Sequence, residues 1–266
     1  MQSVGTLIAY WRTVRRMSQL ALATAAEVSP RHVSFIESGR ANPSREMVLQ
    51  LASTLDVPLR ERNTLLQAAG FSAAYRESSL AAPQLAVVRQ ALEAILAQHR
   101  PYPAVVLDRA WNVVSMNDAA ERFFDLLLAG TAAERLGAPN VLRLMFHRDA
   151  LRPFVTNWED VAEGLIQRVH REVVGNTLAD DVRALVAEVL AYPDVPKRFA
   201  RPDLGAALLP IVPIVFAKAD HRFSYFSTVT TLGTPIDVTA QEIRIECFFP
   251  VDDETRRAAS DLASAK

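Results

Sequence analysis

Through the first 70 residues, apolar positions recur at helical spacing. Leu7, Ile8, Trp11 and Val14 make one stripe, which predicts a helix from about Val4 to Met17. Ser18 is placed to cap a second helix, 19–26, whose inward side chains are Leu22 and Ala26. A third begins with Ser29 as N-cap and Pro30 at its first position, turns Val33 and Ile36 inward and stops at Gly39. Ser44 caps a fourth through Leu55, burying Met47, Val48, Leu51 and Leu55, and a fifth, 60–69, closes at Gly70.

The pattern then changes. Residues 71–83 are Ser- and Ala-rich with weak periodicity and read as a linker. A helix over 84–98 is followed by two short strands, 104–107 and 111–116, around an Asp108-Arg109-Ala110 turn. Asn117 caps a helix to about Leu128, and residues 136–200 read as helical, with helices over about 153–174 and 180–191. Beyond Pro210 the period becomes two, giving three antiparallel strands: Val212, Ile214 and Phe216 alternate with Ile211, Pro213 and Val215, Phe223, Tyr225, Ser227 and Val229 alternate with Ser224, Phe226, Thr228 and Thr230, and Ile243, Ile245, Cys247 and Phe249 form the last apolar side. Asp220-His221 is the hairpin turn, and residues 253–266 read as a polar tail. The expectation is an α+β chain: an all-α domain over 1–70, then a PAS-like α/β domain with an antiparallel sheet over 84–252.

Composition adds exclusions. With 266 residues, 50% hydrophobic and 22% charged, and a net charge of −1, the chain is folded rather than disordered. The single cysteine, Cys247, forms no internal disulfide and fits a reducing cytoplasm. The longest apolar run, Leu204–Ala217, is broken by Pro210 and Pro213, so no membrane span is expected, and the N-terminus lacks the pattern of a signal peptide. Charge is unevenly spread: residues 1–70 hold eight arginines against five acids, while the remainder is acidic. A basic head on an acidic body points to a polyanion partner for the head. The five histidines form no metal-ligand pattern, and no phosphate loop, dinucleotide fingerprint or nucleophile elbow is present, which argues against a metal site and against catalysis.

A short stiff helix projecting from a helical scaffold enters the roughly 12 Å wide major groove. Residues 29–38 suit that role: with Val33 and Ile36 turned inward, Ser29, Arg31, His32 and Ser34 face outward to bases or phosphates. Gln19, Arg40 and Asn42 flank the helix as candidate phosphate contacts. The run Ser18-Gln19-x-x-Leu22-Ala23, Val28-Ser29-x-x-x-Val33-Ser34-x-Ile36-Glu37-x-Gly39 and Pro43-Ser44 resembles the lambda-repressor-like, XRE-type helix-turn-helix. Glu27 departs from that pattern, which often has glycine there; a left-handed non-glycine residue costs about 1 kcal/mol. One recognition helix buries too little surface for a specific site, so a homodimer on a palindromic DNA operator is expected.

In the larger domain, strands and helices of this order enclose a cavity whose candidate lining is Phe123, Phe124, Phe154, Trp158, Leu165, Phe216 and Phe226. Asn157, Arg168 and Thr228 are candidate polar contacts, Arg168 as a donor to an anionic head group. The stretches Pro101-Tyr102-Pro103-Ala104-x-Val106-Leu107-Asp108, Trp111-x-Val113, Leu151-Arg152-Pro153, Asn157-Trp158, Gly233-Thr234-Pro235 and Glu246-x-Phe248-Phe249-Pro250 resemble the MmyB-like transcription regulators. That resemblance implies a small apolar ligand, a fatty acid or acyl-derived signal, while the absent motifs leave no catalytic cofactor expected. At the level of residues alone, a solid-cored partner-binding domain remains the alternative to a ligand pocket.

Overall fold

The computed structural model describes residues 2–131, 133–174, 180–201 and 212–264, and every structural statement here is made of these. The expected apolar run from Leu204 falls largely outside them. The chain divides into two compact units, Met1–Ala82 with Gly233–Gln241, and Pro83–Leu232 with Glu242–Lys266.

The first unit holds five helices, α1 (Val4–Val14), α2 (Gln19–Ala25), α3 (Pro30–Glu37), α4 (Arg45–Thr54) and α5 (Leu59–Ala68). Four begin alike: Ser3, Ser18, Ser29 and Ser44 each accept from the backbone N–H three residues on, a cap of about 1 kcal/mol apiece. All five end alike as well. Arg16, Glu27, Gly39, Asp56 and Gly70 take left-handed φ values of +47° to +86°, and the next N–H bonds back to a carbonyl five residues earlier, as in Val28 N to Ala23 O at 2.9 Å. Glu27 thus adopts the strained turn expected of it. Leu22, Val33, Ile36, Val48, Leu51 and Leu55 are fully enclosed around Trp11. Gly5 lets α1 cross α3 closely: a Cβ there would lie 2.2 Å from the Ile36 carbonyl oxygen.

The second unit begins with a 3-10 turn at Pro83–Leu85 and α6 (Ala86–Gln98). It continues through β1 (Ala104–Leu107), β2 (Val113–Met116), α7 (Asp118–Leu128), α8 (Val141–Phe146), α9 (Trp158–Val174) and α10 (Asp180–Leu190). It closes with β3 (Ile214–Lys218), β4 (His221–Thr230), β5 (Arg244–Pro250) and α12 (Asp253–Ser264), while α11 (Val238–Glu242), between β4 and β5, lies almost wholly in the first unit. The sheet is antiparallel throughout in the order β2-β1-β5-β4-β3, the PAS-like arrangement. Asn117 ties the start of β1 to α6 and α7: its Oδ1 accepts from Ala104 N and Ala120 N, while its amide donates to Leu96 O and Tyr102 O.

Two expectations need correction. Residues 253–264 are a helix rather than a polar tail: Asp252 accepts from Thr255 N at 2.8 Å, and Thr255 Oγ1 accepts from Ser224 N at 2.9 Å. The buried Ala259 completes the small apolar face that anchors α12, a stripe too sparse to register in a segment otherwise rich in charge. Residues 71–82 are packed into the first unit rather than loose, with Asn63 Oδ1 accepting from Ala74 N and Tyr75 N and Arg60 paired with Glu77. The β4–β5 connection joins that unit too. Val238 N donates to Arg76 O at 2.8 Å, and Gln241 Oε1 accepts from Leu59 N at 2.6 Å, supplying α5 with the N-terminal cap that Pro58 lacks.

Candidate functional site

The head is held rigid by a polar network beneath α3. Arg12 grips Glu37 through two parallel bonds, Nε to Oε1 at 2.7 Å and Nη2 to Oε2 at 2.9 Å, and Gln19 Nε2 donates to Oε2 at 2.7 Å. Burial by itself raises the Glu37 carboxyl, but the bonds from Arg12 and Gln19 outweigh it and hold the pKa below the usual carboxylate range. Gln19, a candidate phosphate contact, therefore has its amide on Glu37. The other candidates sit along the outer face of α3 and just past it: Ser29, Arg31, Arg40 and Asn42 are exposed, and His32 and Ser34 half-buried. The guanidinium carbons of Arg31 and Arg40 lie 5.0 and 5.9 Å from the Phe35 ring centre, so one aromatic ring gathers two cations at the helix surface.

The second unit holds a partly open cavity of about 580 Å³, within the range that takes small ligands. Helix periodicity selects its walls. From α9 come Val161, Gly164, Leu165 and Arg168, and from α7 come Glu121, Phe124, Asp125 and Leu128, each set spaced i, i+3, i+4, i+7 along one face. The sheet contributes Val105, Val113, Ile214, Phe216, Ser227, Glu246 and Phe248. At the polar end Ser227 Oγ donates to Glu246 Oε1 at 2.6 Å, and Arg168 Nη1 lies 4.0 Å from the same oxygen. The Arg168 guanidinium also covers one side of Trp111 at 4.7 Å, with Arg244 at 4.9 Å from the same ring.

Of the expected lining, Phe124, Leu165, Arg168 and Phe216 are on the wall. Among the described residues Phe123, Phe154, Asn157, Trp158, Phe226 and Thr228 are not, each for a local reason. Phe123 follows about 100° around α7 from Phe124 and instead meets Phe216, Phe223 and Tyr225 edge-on at 5.1–5.6 Å as the hub of the aromatic core. Phe154 lies under the Lys218 ammonium at 4.9 Å. Asn157 pins the start of α9 to β3, donating to Pro213 O and accepting from Val215 N, and Trp158 Nε1 donates to Met145 O. Phe226 and Thr228 have the opposite strand parity to Ser227, and Phe226 stacks on Phe249 at 5.3 Å. Sequence reasoning missed Glu246, Glu121 and Asp125; a lone acid between Ile245 and Cys247 in an apolar strand was the available signal. Cys247 itself is buried, and burial pushes its thiol pKa up.

A helix-turn-helix head joined to a cavity-bearing PAS-like domain defines a transcription regulator that couples a small ligand to DNA. Comparison with known proteins bears this out: a helix-turn-helix model matches residues 8–62, and the model of the MmyB-like transcription regulator ligand binding domain matches residues 88–262. The chain belongs to the MmyB-like transcription regulators. Both domains are those of a non-enzymatic, ligand-responsive, DNA-binding regulator. No curated protein matches. Among solved structures, an RNA-binding light-oxygen-voltage receptor aligns at 14% identity and a TM-score of 0.29, covering 98% of this chain. The chain spans 60% of that receptor's length. No helix among the described residues is long and apolar enough to cross a membrane.

Proposed function

We propose that this regulator binds a palindromic operator as a homodimer and changes its affinity when an apolar, acyl-type molecule enters the cavity. The observation that carries the reading is the 580 Å³ cavity with its largely aliphatic and aromatic wall, which a solid-cored partner-binding domain would not need. In the head, Arg31 reads guanine with two bonds, Ser29, His32 and Ser34 reach neighbouring bases or phosphates, and Arg40 and Asn42 grip the backbone. Two heads about 34 Å apart match half-sites one helical turn apart.

Chain connectivity supports a route for the response. Ser227 on β4 and Glu246 on β5 line the cavity, and the connection between these strands contributes Gln241 to the cap of α5 in the head. A ligand that prefers one arrangement of these strands biases the head by that preference and no more. Mass spectrometry of an organic extract of purified full-length protein tests the reading. A stoichiometric acyl compound that alters operator binding when added back is expected. An empty extract together with no saturable binding of added long-chain compounds would refute it.

A further inference from the structure

We infer that the cavity selects a long-chain molecule whose head donates hydrogen bonds and carries no negative charge, an alcohol, amine or amide rather than a free fatty acid. This rests on the ligand-binding reading above, keeps its long apolar tail and replaces the acyl head with one that donates. Among the described residues four charged side chains belong to the cavity wall: Glu121, Asp125 and Glu246 against Arg168, a formal excess of two negative charges. The arrangement sharpens the count. Glu246 is largely buried, 8% exposed, whereas Glu121 and Asp125 stand exposed, one turn apart on α7.

Arg168 is the one cation on the cavity wall among the described residues, and its guanidinium is already engaged. It faces the Glu246 carboxylate at 4.0 Å and lies over the Trp111 ring at 4.7 Å. A ligand carboxylate drawn to Arg168 would come beside the buried Glu246 carboxylate, and like charges at that distance repel. A hydroxyl or amine meets the opposite situation. A carboxylate accepts several hydrogen bonds, Ser227 supplies one to Glu246, and a donor head supplies another. The two acids on α7 favour the same heads as they approach. Tail length is set by the apolar wall of Val105, Leu144, Met145, Leu165 and Phe216; the head is set by Glu246.

The test is competition against the neutral dye Nile red on full-length protein at pH 7.5, using decan-1-ol, decylamine and decanoate, which share one chain length. The alcohol and amine are expected to displace the dye at concentrations at least ~10-fold below decanoate, a free-energy difference of about 1.4 kcal/mol. Glu246→Gln is expected to narrow that ratio by lifting decanoate. The exposed pair Glu121→Gln/Asp125→Asn narrows it less, and serves if Glu246→Gln does not fold. Decanoate competing as well as the other two overturns the head-group assignment while leaving the cavity reading intact. Failure of Nile red to bind saturably, or of all three to displace it, overturns the cavity reading itself.

Discussion

Gly164 offers the most direct intervention in the cavity. It sits within α9, between Val161 and Arg168 on the wall, and a Cβ built there meets no atom within 4 Å. A side chain added at this position therefore grows into empty space rather than into backbone. Glycine in a helix interior costs roughly 0.5–1 kcal/mol relative to alanine, so Gly164→Ala is expected to stabilise the ligand-free domain. At about 2–4 °C per kcal/mol for a domain of this size, the unfolding midpoint rises by about 1–4 °C. Gly164→Phe keeps part of that gain and fills the space a ligand needs. In the parent, Nile red at about 100 times its Kd adds roughly 2.7 kcal/mol, a shift of about 5–11 °C. The phenylalanine variant should lose most of that dye-dependent shift while its dye-free midpoint stays at or above the parent's. Differential scanning fluorimetry with intrinsic fluorescence reads both quantities. A Gly164→Phe protein that unfolds earlier than the parent yet binds the dye equally would refute this account of the cavity.

Three further outcomes concern the head. Gly5→Ala places a methyl group into the Ile36 carbonyl, and the helix-propensity gain is outweighed by a clash costing about 1–3 kcal/mol; thermal melts of the full chain should show the head unfolding earlier. Glu37→Gln should cost about 1.5–3 kcal/mol in chemical denaturation, because it removes the charge that Arg12 and Gln19 address. Because the folded-state pKa of Glu37 is depressed, its stabilisation is present above the unfolded value of about 4.3 and is lost as pH falls through the folded value. The parent should thus lose head stability below about pH 4, and the glutamine variant should lack that component. Arg31→Ala should relax preference at one operator position at a cost of about 1–3 kcal/mol, whereas Arg40→Ala should weaken all sequences and flatten the salt slope by about one unit; titrations at several salt concentrations separate the two.

Local chemistry by itself determined the head. Serine caps, Pro30, Gly39 and Gly70 and the i, i+3, i+4 stripes act within a few residues of themselves, so helices α1–α5 are written in short-range order and differ from the pattern's reading by at most a turn. The sheet strands were legible for the same reason, through alternation. What the pattern left open was decided by contacts between distant residues. The strand faces of β4 are both apolar enough to be inward, so parity alone could not choose Ser227 over Phe226 and Thr228; pairing with β5, Ser227 opposite Phe248, made the choice. Phe123 and Phe124 both looked like cavity lining, and only the packing of α7 on Phe216, Phe223 and Tyr225 turned Phe123 into core. The cavity's charge came from positions 121, 125, 168 and 246, up to 125 residues apart in sequence, and no window along the chain joins them. The same holds for the β4–β5 connection capping α5, since a side-chain amide 182 residues away carries no local signature of its partner.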